Sequence, residues 1–228
     1  KRVRAHDGSL ELVCTQERAT RPNYVTPEML SVESNDESDL PDRIAPAMRA
    51  PTSGGSTGRP KLIVSGVAGI VDVGSIVLFR LGPDDIAVVP GPLYHNAPFA
   101  ASLTALMAGA HTVLMRKFDA EGLLRVIDRH RATWLYVVPT MMRRVHQLPK
   151  EILQTLDVSC LRSVWHMAAP CPPWLKQAWI EWLGAETLWE LYGGTEAQAI
   201  TAISGNEWLE RRGSVGKPFV GEVAVFDD

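Results

Sequence analysis

From Lys61 onward, short apolar runs alternate with segments whose apolar residues recur at helical spacing. Leu62–Ser65, Asp85–Pro90, His111–Met115, Thr133–Val138, Leu161–Met167 and Thr187–Leu191 read as strands. Each is brief, rich in branched or aromatic residues, and bounded by turn formers. Between them, Val67–Phe79 reads as a mostly buried helix and Phe99–Met107 as a small-residue helix ending at Gly109. Asp119 is placed to cap a helix whose apolar face is Leu123, Leu124 and Ile127. Met141–Leu148 is a helix stopped by Pro149. Pro172 and Pro173 open another, with Leu175, Ala178, Trp179, Trp182 and Leu183 on its apolar face. This alternation predicts an α/β fold: a largely parallel β-sheet flanked by helices on both faces. Ligands of such sheets collect beyond the carboxyl ends of the strands. Three turns are therefore expected on one rim: Gly91–Phe99, Met167–Cys171 and Tyr192–Glu196.

The chain before Lys61 is less regular. Leu10–Thr15 alternates weakly as a strand would, and Pro27–Leu30 could begin a short helix. Ser31–Asp42 is acidic and polar and reads as a solvated linker. The expected organisation is a remnant and linker over residues 1–50, a parallel α/β subdomain over 51–192, and the start of another subdomain over 193–228.

Residues 51–61 read Pro-Thr-Ser-Gly-Gly-Ser-Thr-Gly-Arg-Pro-Lys. Glycines let the backbone turn tightly and approach a ligand, and successive main-chain N–H groups can converge on an anion. Hydroxyls of Thr52, Ser53, Ser56 and Thr57 add donors, and Lys61 adds positive charge. The composition suits a clamp for a polyphosphate. Neither the Walker spacing nor the dinucleotide fingerprint fits, because Gly58 is followed by Arg59-Pro60-Lys61 and Gly54 and Gly55 are adjacent. Gly54-Gly55-Ser56-Thr57-Gly58 does match Gly-x-Ser-x-Gly, the nucleophile elbow of serine hydrolases. That motif needs a strand before the serine and a helix after it. Pro46 and Pro51 make a poor central strand, and Pro60 opposes a helix.

Further along, Tyr192-Gly193-Gly194-Thr195-Glu196 follows the last strand of the series. A carboxylate at a strand end can hold Mg²⁺, a threonine hydroxyl can bond a phosphate oxygen, and a tyrosine ring can stack on a base. His95 at a loop start is either a hydrogen-bond donor to an acid substrate or a structural histidine. Trp165 and His166 either wall a substrate pocket or are simply sheet residues.

Together these stretches resemble the adenylate-forming superfamily of acyl- and aryl-coenzyme A ligases, luciferases and peptide-synthetase adenylation domains. The carriers are Ser53–Lys61, Tyr192–Glu196, Pro92–Phe99 and the small-residue loop Met167-Ala168-Ala169-Pro170. The resemblance implies that Thr52, Ser53, Gly54, Gly55, Ser56, Thr57, Gly58 and Lys61 hold the ATP phosphates. It places Ala168, Ala169, Pro170, Tyr192 and Gly193 against adenine, Thr195 on the α-phosphate, and Glu196 on Mg²⁺. It places His95, Asn96, Phe99, Trp165, His166 and Gly194 near the acid. Glu190 departs from the Asn or Gln that many members carry. The stretch between Gly91 and Thr104 lacks the aspartate that usually pairs an amino-acid ammonium, so a plain carboxylic acid is expected. Lipid-like acids fit that absence, with aryl acids as the alternative. The implied reaction joins a hydrophobic carboxylic acid to coenzyme A at the expense of ATP, forming AMP. Full members are more than twice as long, so the chain is expected to be a fragment of the large domain, inactive by itself. The competing readings are a serine hydrolase with Ser56 as nucleophile and a non-catalytic nucleotide-binding module.

Composition narrows the classes. A net charge of −3 with no basic block argues against nucleic acid. The longest apolar runs contain Gly or Pro and are too short for a bilayer span. Lys1–Arg4 leads into Ala-His-Asp-Gly rather than an apolar signal segment. Three cysteines at spacings that match no zinc or redox motif read as reduced, and the protein as cytoplasmic. Six histidines form no His-Glu-x-x-His cluster.

Overall fold

The computed structural model describes residues 12–13, 24–25, 44–51, 62–70, 78–196 and 198–224. The chain divides into two compact units, residues 1–43 and 44–228. In the first, β1 (Leu12–Val13) pairs in parallel with β2 (Tyr24–Val25). The expected helix at Pro27–Leu30 and the acidic stretch Ser31–Asp42 lie outside the described residues.

The second unit is built on a seven-stranded sheet. Its strands are β3 (Ile86–Val89), β4 (His111–Leu114), β5 (Trp134–Val137), β6 (Ser163–Met167), β7 (Leu188–Gly193), β8 (Ile200–Ser204) and β9 (Lys217–Val220). They lie in the order β4-β3-β5-β6-β7-β8-β9. The first five run parallel. The strands that follow Tyr192, expected to open the next subdomain, hydrogen-bond onward from β7 as antiparallel members of the same sheet. Gly216, before β9, has φ of 88°, and a Cβ there would meet the Ala202 carbonyl oxygen at 1.9 Å, so only glycine lets β9 dock.

Helices return the chain between parallel strands. They are α1 (Asn96–Met107), α2 (Ala120–His130), α3 (Pro139–His146), α4 (Lys150–Thr155), α5 (Pro173–Leu183) and, after β8, α6 (Gly205–Glu210). Asp119 caps α2 as expected, accepting from the Gly122 N–H at 2.7 Å. α1 and α3 each start earlier than the apolar spacing suggests. Pro98 and Pro139 sit in their first turns, where a missing N–H costs nothing. The sequence reading missed α6, although Ser204 and Glu207 form a capping box.

Strand residues alternate between two cores. Val88, Leu135, Val137, Val164 and Leu188 face α2, α3 and α5. Ala87, Val89, Trp134, Tyr136, Trp165 and Met167 face the other way, toward α1. The link from β3 to β4 and the link from β4 back past β3 to β5 travel in opposite directions across the sheet. Right-handed crossovers then put α1 on the opposite face from α2, α3 and α5.

Two segments depart from expectation. Residues 45–51 and 62–69 run antiparallel, with Met48 N–H bonded to the Val67 carbonyl, Ser65 to Arg49, Ile63 to Pro51 and Gly69 to Ala45, all at 2.8–2.9 Å. Leu62–Ser65 is thus one arm of this ladder, not a strand of the main sheet. The beginning of the expected helix at Val67 is its continuation, interrupted by Gly66 and Gly69. Residues 71–77 lie outside the described residues.

A buried polar cluster fastens α5 to the end of β7. Lys176 is 1% exposed and its Nζ donates to Glu190 Oε2 at 2.6 Å. The ammonium also lies 5.0 Å from the Trp208 ring centroid, a cation–π contact. His166, directly across from Glu190 in β6, is fully buried, with Nε2 4.0 Å from Glu190 Oε2. Neither ring nitrogen has a hydrogen-bond partner among the described residues. Burial, then the Lys176 charge, push the His166 pKa down to about 3. Burial lowers that of Lys176, against the opposing pull of Glu190. Burial and the Glu190 charge push the nearby Cys171 thiol up to about 12. The expected apolar face of α5 is accordingly corrected: Leu175, Lys176, Trp179 and Ile180 are its buried residues. Ala178, Trp182 and Leu183 are half-buried, with Trp182 and Leu183 packed against the margin of that core.

Two outcomes follow. Removing one partner strands the other charge, so Lys176→Met should cost about 3 kcal/mol in urea unfolding, and adding Glu190→Gln should recover most of that loss. Additive losses in the double variant would show that the pair is not coupled. The histidine gives a pH signature. Its folded pKa lies below the unfolded value near 6.5, so the unfolded state takes up the proton first. The stability this contributes is present above about 6.5 and lost as pH falls toward 3. Between pH 7 and 5 the native protein should lose about 2 kcal/mol more than His166→Leu does. Equal losses in the two proteins would place the pH dependence elsewhere.

Candidate functional site

Because β3, β5, β6 and β7 are parallel, their carboxyl ends share one edge of the sheet. The turns expected there leave β3, β6 and β7 at that edge. The β3 turn leads to His95, which holds an extended conformation (φ −89°, ψ 145°) as the residue capping α1. Its carbonyl accepts from the Phe99 N–H at 3.2 Å, and its ring tilts against exposed Tyr94 with centroids 4.7 Å apart. The Oδ1 atom of Asn96 is buried without a hydrogen-bond partner among the described residues. Phe99, one turn into α1, is partly exposed.

The β6 turn is Ala168-Ala169-Pro170, all exposed. Ala168 has φ of 73°, a left-handed conformation that costs a side-chain-bearing residue roughly 1–2 kcal/mol. The strain is confined to the point where the chain leaves β6, and the small methyl group keeps the surface open to a flat ligand.

The β7 turn begins at Tyr192, 60% exposed, opposite Thr201 of β8. Gly193 pairs with Ile200. Thr195 is half-buried and Glu196 exposed. A Cβ on Gly194 would lie 3.1 Å from Glu196 Oε2, so glycine leaves room for that carboxylate to fold back over the turn. A single exposed carboxylate fits Mg²⁺, which binds through one or two carboxylates and fills its shell with water and phosphate oxygens. Among the described residues no three His, Cys, Asp or Glu side chains gather as a closed metal cage.

Trp165 and His166 part company. Adjacent residues of a strand point to opposite faces. Trp165 joins the core against α1, whereas His166 lies in the Lys176–Glu190 cluster under α5. The expectation that both border one pocket is corrected on that ground: only Trp165 is on the side that α1 and His95 frame. The sequence reading missed Lys176. Its signal was a lysine at helical spacing with Trp179 and Ile180, inside the otherwise apolar stripe of α5.

Thr52, Ser53, Gly54, Gly55, Ser56, Thr57, Gly58 and Lys61 lie outside the described residues. Their flanks bear on the hydrolase reading. A nucleophile elbow links a strand to a helix at the serine. Here residues 45–51 and 62–69 are two arms of one antiparallel ladder, and neither flank is a strand of the main sheet or a helix.

No helix among the described residues is long and apolar enough to cross a membrane. Comparison with known proteins agrees with the fold. A 4-coumarate-CoA ligase of Narcissus pseudonarcissus is 32% identical over 183 residues, 75% of this chain and 33% of that protein. The chain thus spans about a third of the length of the curated relatives it matches. Among solved structures, the amide bond synthetase McbA of Marinactinospora thermotolerans superposes with a TM-score of 0.61 at 27% identity, over 74% of this chain and 34% of McbA. The N-terminal domain of FACL13 from Mycobacterium tuberculosis has the same fold, with a TM-score of 0.69 at 20% identity, over 86% of this chain and 50% of that one. The profile of the AMP-binding enzyme family matches residues 4–228, and with these strand-end turns in place the chain belongs to that adenylate-forming family.

Proposed function

We propose that this chain is the nucleotide-handling part of an ATP-dependent, AMP-forming ligase that joins a hydrophobic carboxylic acid to coenzyme A. The observation that carries the reading is the shared edge: His95, the Ala168–Pro170 turn and Tyr192–Glu196 all leave parallel strands on the same side of the sheet. The family match and the likeness to a 4-coumarate-CoA ligase support it.

In this reading the acid's carboxylate oxygen attacks the α-phosphorus of ATP. The bond to the bridging oxygen breaks and pyrophosphate leaves. The coenzyme A thiol sulfur then attacks the acyl carbon, and AMP departs. The protein's work is positioning and charge neutralisation. Thr52–Gly58 and Lys61 take the outer phosphates. Adenine lies between the Tyr192 ring and the Ala168–Ala169 turn, where the small side chains permit close approach. The Thr195 hydroxyl donates to the α-phosphate, and His95 orients the acid's carboxylate, with Asn96 and Gly194 beside it. Mg²⁺, when bound at Glu196, would neutralise phosphate charge. The activity belongs to the protein that carries this chain together with the remaining length of the family.

Acid-dependent ATP–pyrophosphate exchange in that full-length protein tests the assignment. Lys61→Ala should lower exchange about 100-fold with the fold intact by circular dichroism. Undiminished exchange would remove Lys61 from the phosphate site, and no exchange with any acid in the native protein would leave a nucleotide-binding module. Glu196→Gln should lower the exchange rate far more than it weakens ATP binding, because charge that develops during transfer needs the metal more than the ground state does. Equal losses in rate and affinity would make Glu196 a structural residue.

A further inference from the structure

We propose that Lys176, Glu190 and His166 are positioning residues for the nucleobase: together they set the separation of the two walls between which adenine lies, the Ala168–Pro170 turn and Tyr192. The inference rests on the adenylation reading and assigns to it residues buried behind the base. The β6–β7 ladder ends at the pair Met167 and Leu191. Beyond that pair the two chains part. Ala168 turns away in a left-handed conformation, while Tyr192 continues in β7 opposite Thr201 of β8. The rung just inside the fork is His166 across from Glu190. Residues two apart in a strand share a face, so Glu190 lies on the same face of β7 as Tyr192. His166 stands two residues before the turn begins.

Lys176 ties the two walls to each other. Its side chain holds one of them: Nζ donates to Glu190 Oε2 at 2.6 Å, with both residues buried. Its main chain holds the other. The Pro172 carbonyl, just past the turn, accepts from the Leu175 and Lys176 N–H groups at 2.9 and 3.1 Å. The ammonium also lies 5.0 Å from the Trp208 ring centroid, and Trp208 belongs to α6, which follows the strand that pairs with Tyr192. Arg212 stacks on the same ring at 5.1 Å and donates to Gln177 of α5 at 2.8 Å. Fully buried His166 stands behind the carboxylate, Nε2 4.0 Å from Oε2, and limits its retreat toward β6. A buried ion pair is a weak source of stability, because desolvation offsets much of the attraction, yet it demands close geometry. Ala168 shows that the geometry is enforced. A left-handed residue with a side chain is strained and persists only where its surroundings over-determine it. The cluster supplies those surroundings, with His166 before Ala168 and the Pro172–Lys176 hydrogen bond after it.

The test separates positioning from stability by acid-dependent pyrophosphate exchange in the full-length protein. The acid is whichever of octanoate, palmitate, benzoate or 4-coumarate supports the fastest exchange. Lys176→Met combined with Glu190→Gln removes the tie without stranding a charge, so the urea midpoint should return close to the native one. The KM for ATP should nevertheless stay about 10-fold above native, with kcat changed less than about 3-fold and the KM values for pyrophosphate and the acid within about twofold. Glu190→Asp keeps both charges and shortens the reach by a methylene; it should raise the KM for ATP alone, by about 3-fold. A native KM for ATP in the double variant, on protein with native circular dichroism, would overturn the inference. If the double variant does not fold, a native KM for ATP in Glu190→Asp overturns it in the same way. A joint rise in the KM values for ATP, pyrophosphate and acid, or a fall in kcat alone, would make the cluster a general support of the fold and overturn it too. No exchange with any of these acids in the native protein would overturn the adenylation reading instead, and the inference with it.

Discussion

A parallel strand cannot be joined to its neighbour by a tight turn, and this constraint organises everything else in the molecule. Each return from β3 to β7 travels through a helix, so every strand arrives pointing the same way and every carboxyl end reaches the same edge. The direction of travel reverses once, between the step to β4 and the step to β5. Handedness then separates α1 from the other returning helices and splits the core in two. The turns proposed to meet a ligand come from stretches far apart in sequence, near residues 95, 168 and 195. They are neighbours only because the sheet brings strand ends together.

Both faces of β3, β5 and β6 are buried, so the alternation within each sorts residues between two different environments rather than between core and solvent. β6 shows the effect most clearly. Trp165 goes to a floor of stacked rings, and His166, one residue on, goes to a charged pocket under α5. β7 repeats the pattern with Trp189 and Glu190. A substitution in either strand therefore reports on one side of the sheet only.

Much of this was legible in the sequence. The central strands and the α2 cap followed from periodicity and from Asp119. The three strand-end turns followed from the expected topology, and the family resemblance from their residues. What was missed had physical reasons. Lys176 looks like a surface residue until Glu190 is known to face it, and their contact spans two elements that no local pattern links. Leu62–Ser65 has the apolar character of a buried strand, yet its hydrogen bonds go to Arg49 and Pro51 rather than to the main sheet. The helix after β5 was expected from Met141, whereas it begins at Pro139, a good first residue for a helix. Glu190 was noticed as a departure from the family, and in this structure it pairs with buried Lys176.

The way the helices begin also shapes the electric field at the strand-end edge. α1, α3 and α5 all start there, and none carries an acidic residue in its first turn. Each leaves the positive end of its macrodipole, worth about half an elementary charge, uncompensated. α2 is the exception, with Asp119 and Glu121, and it follows β4 at the far border of the sheet. β7 ends not in a helix but in a reversal into β8, and that reversal carries Glu196. The helix ends between β3 and β6 at this edge are thus without acidic partners in their own first turns, while carboxylates stand at the β4 border and in the reversal after β7. Any long-range attraction of an anion to uncompensated helix ends of this kind weakens as added salt shortens the screening length.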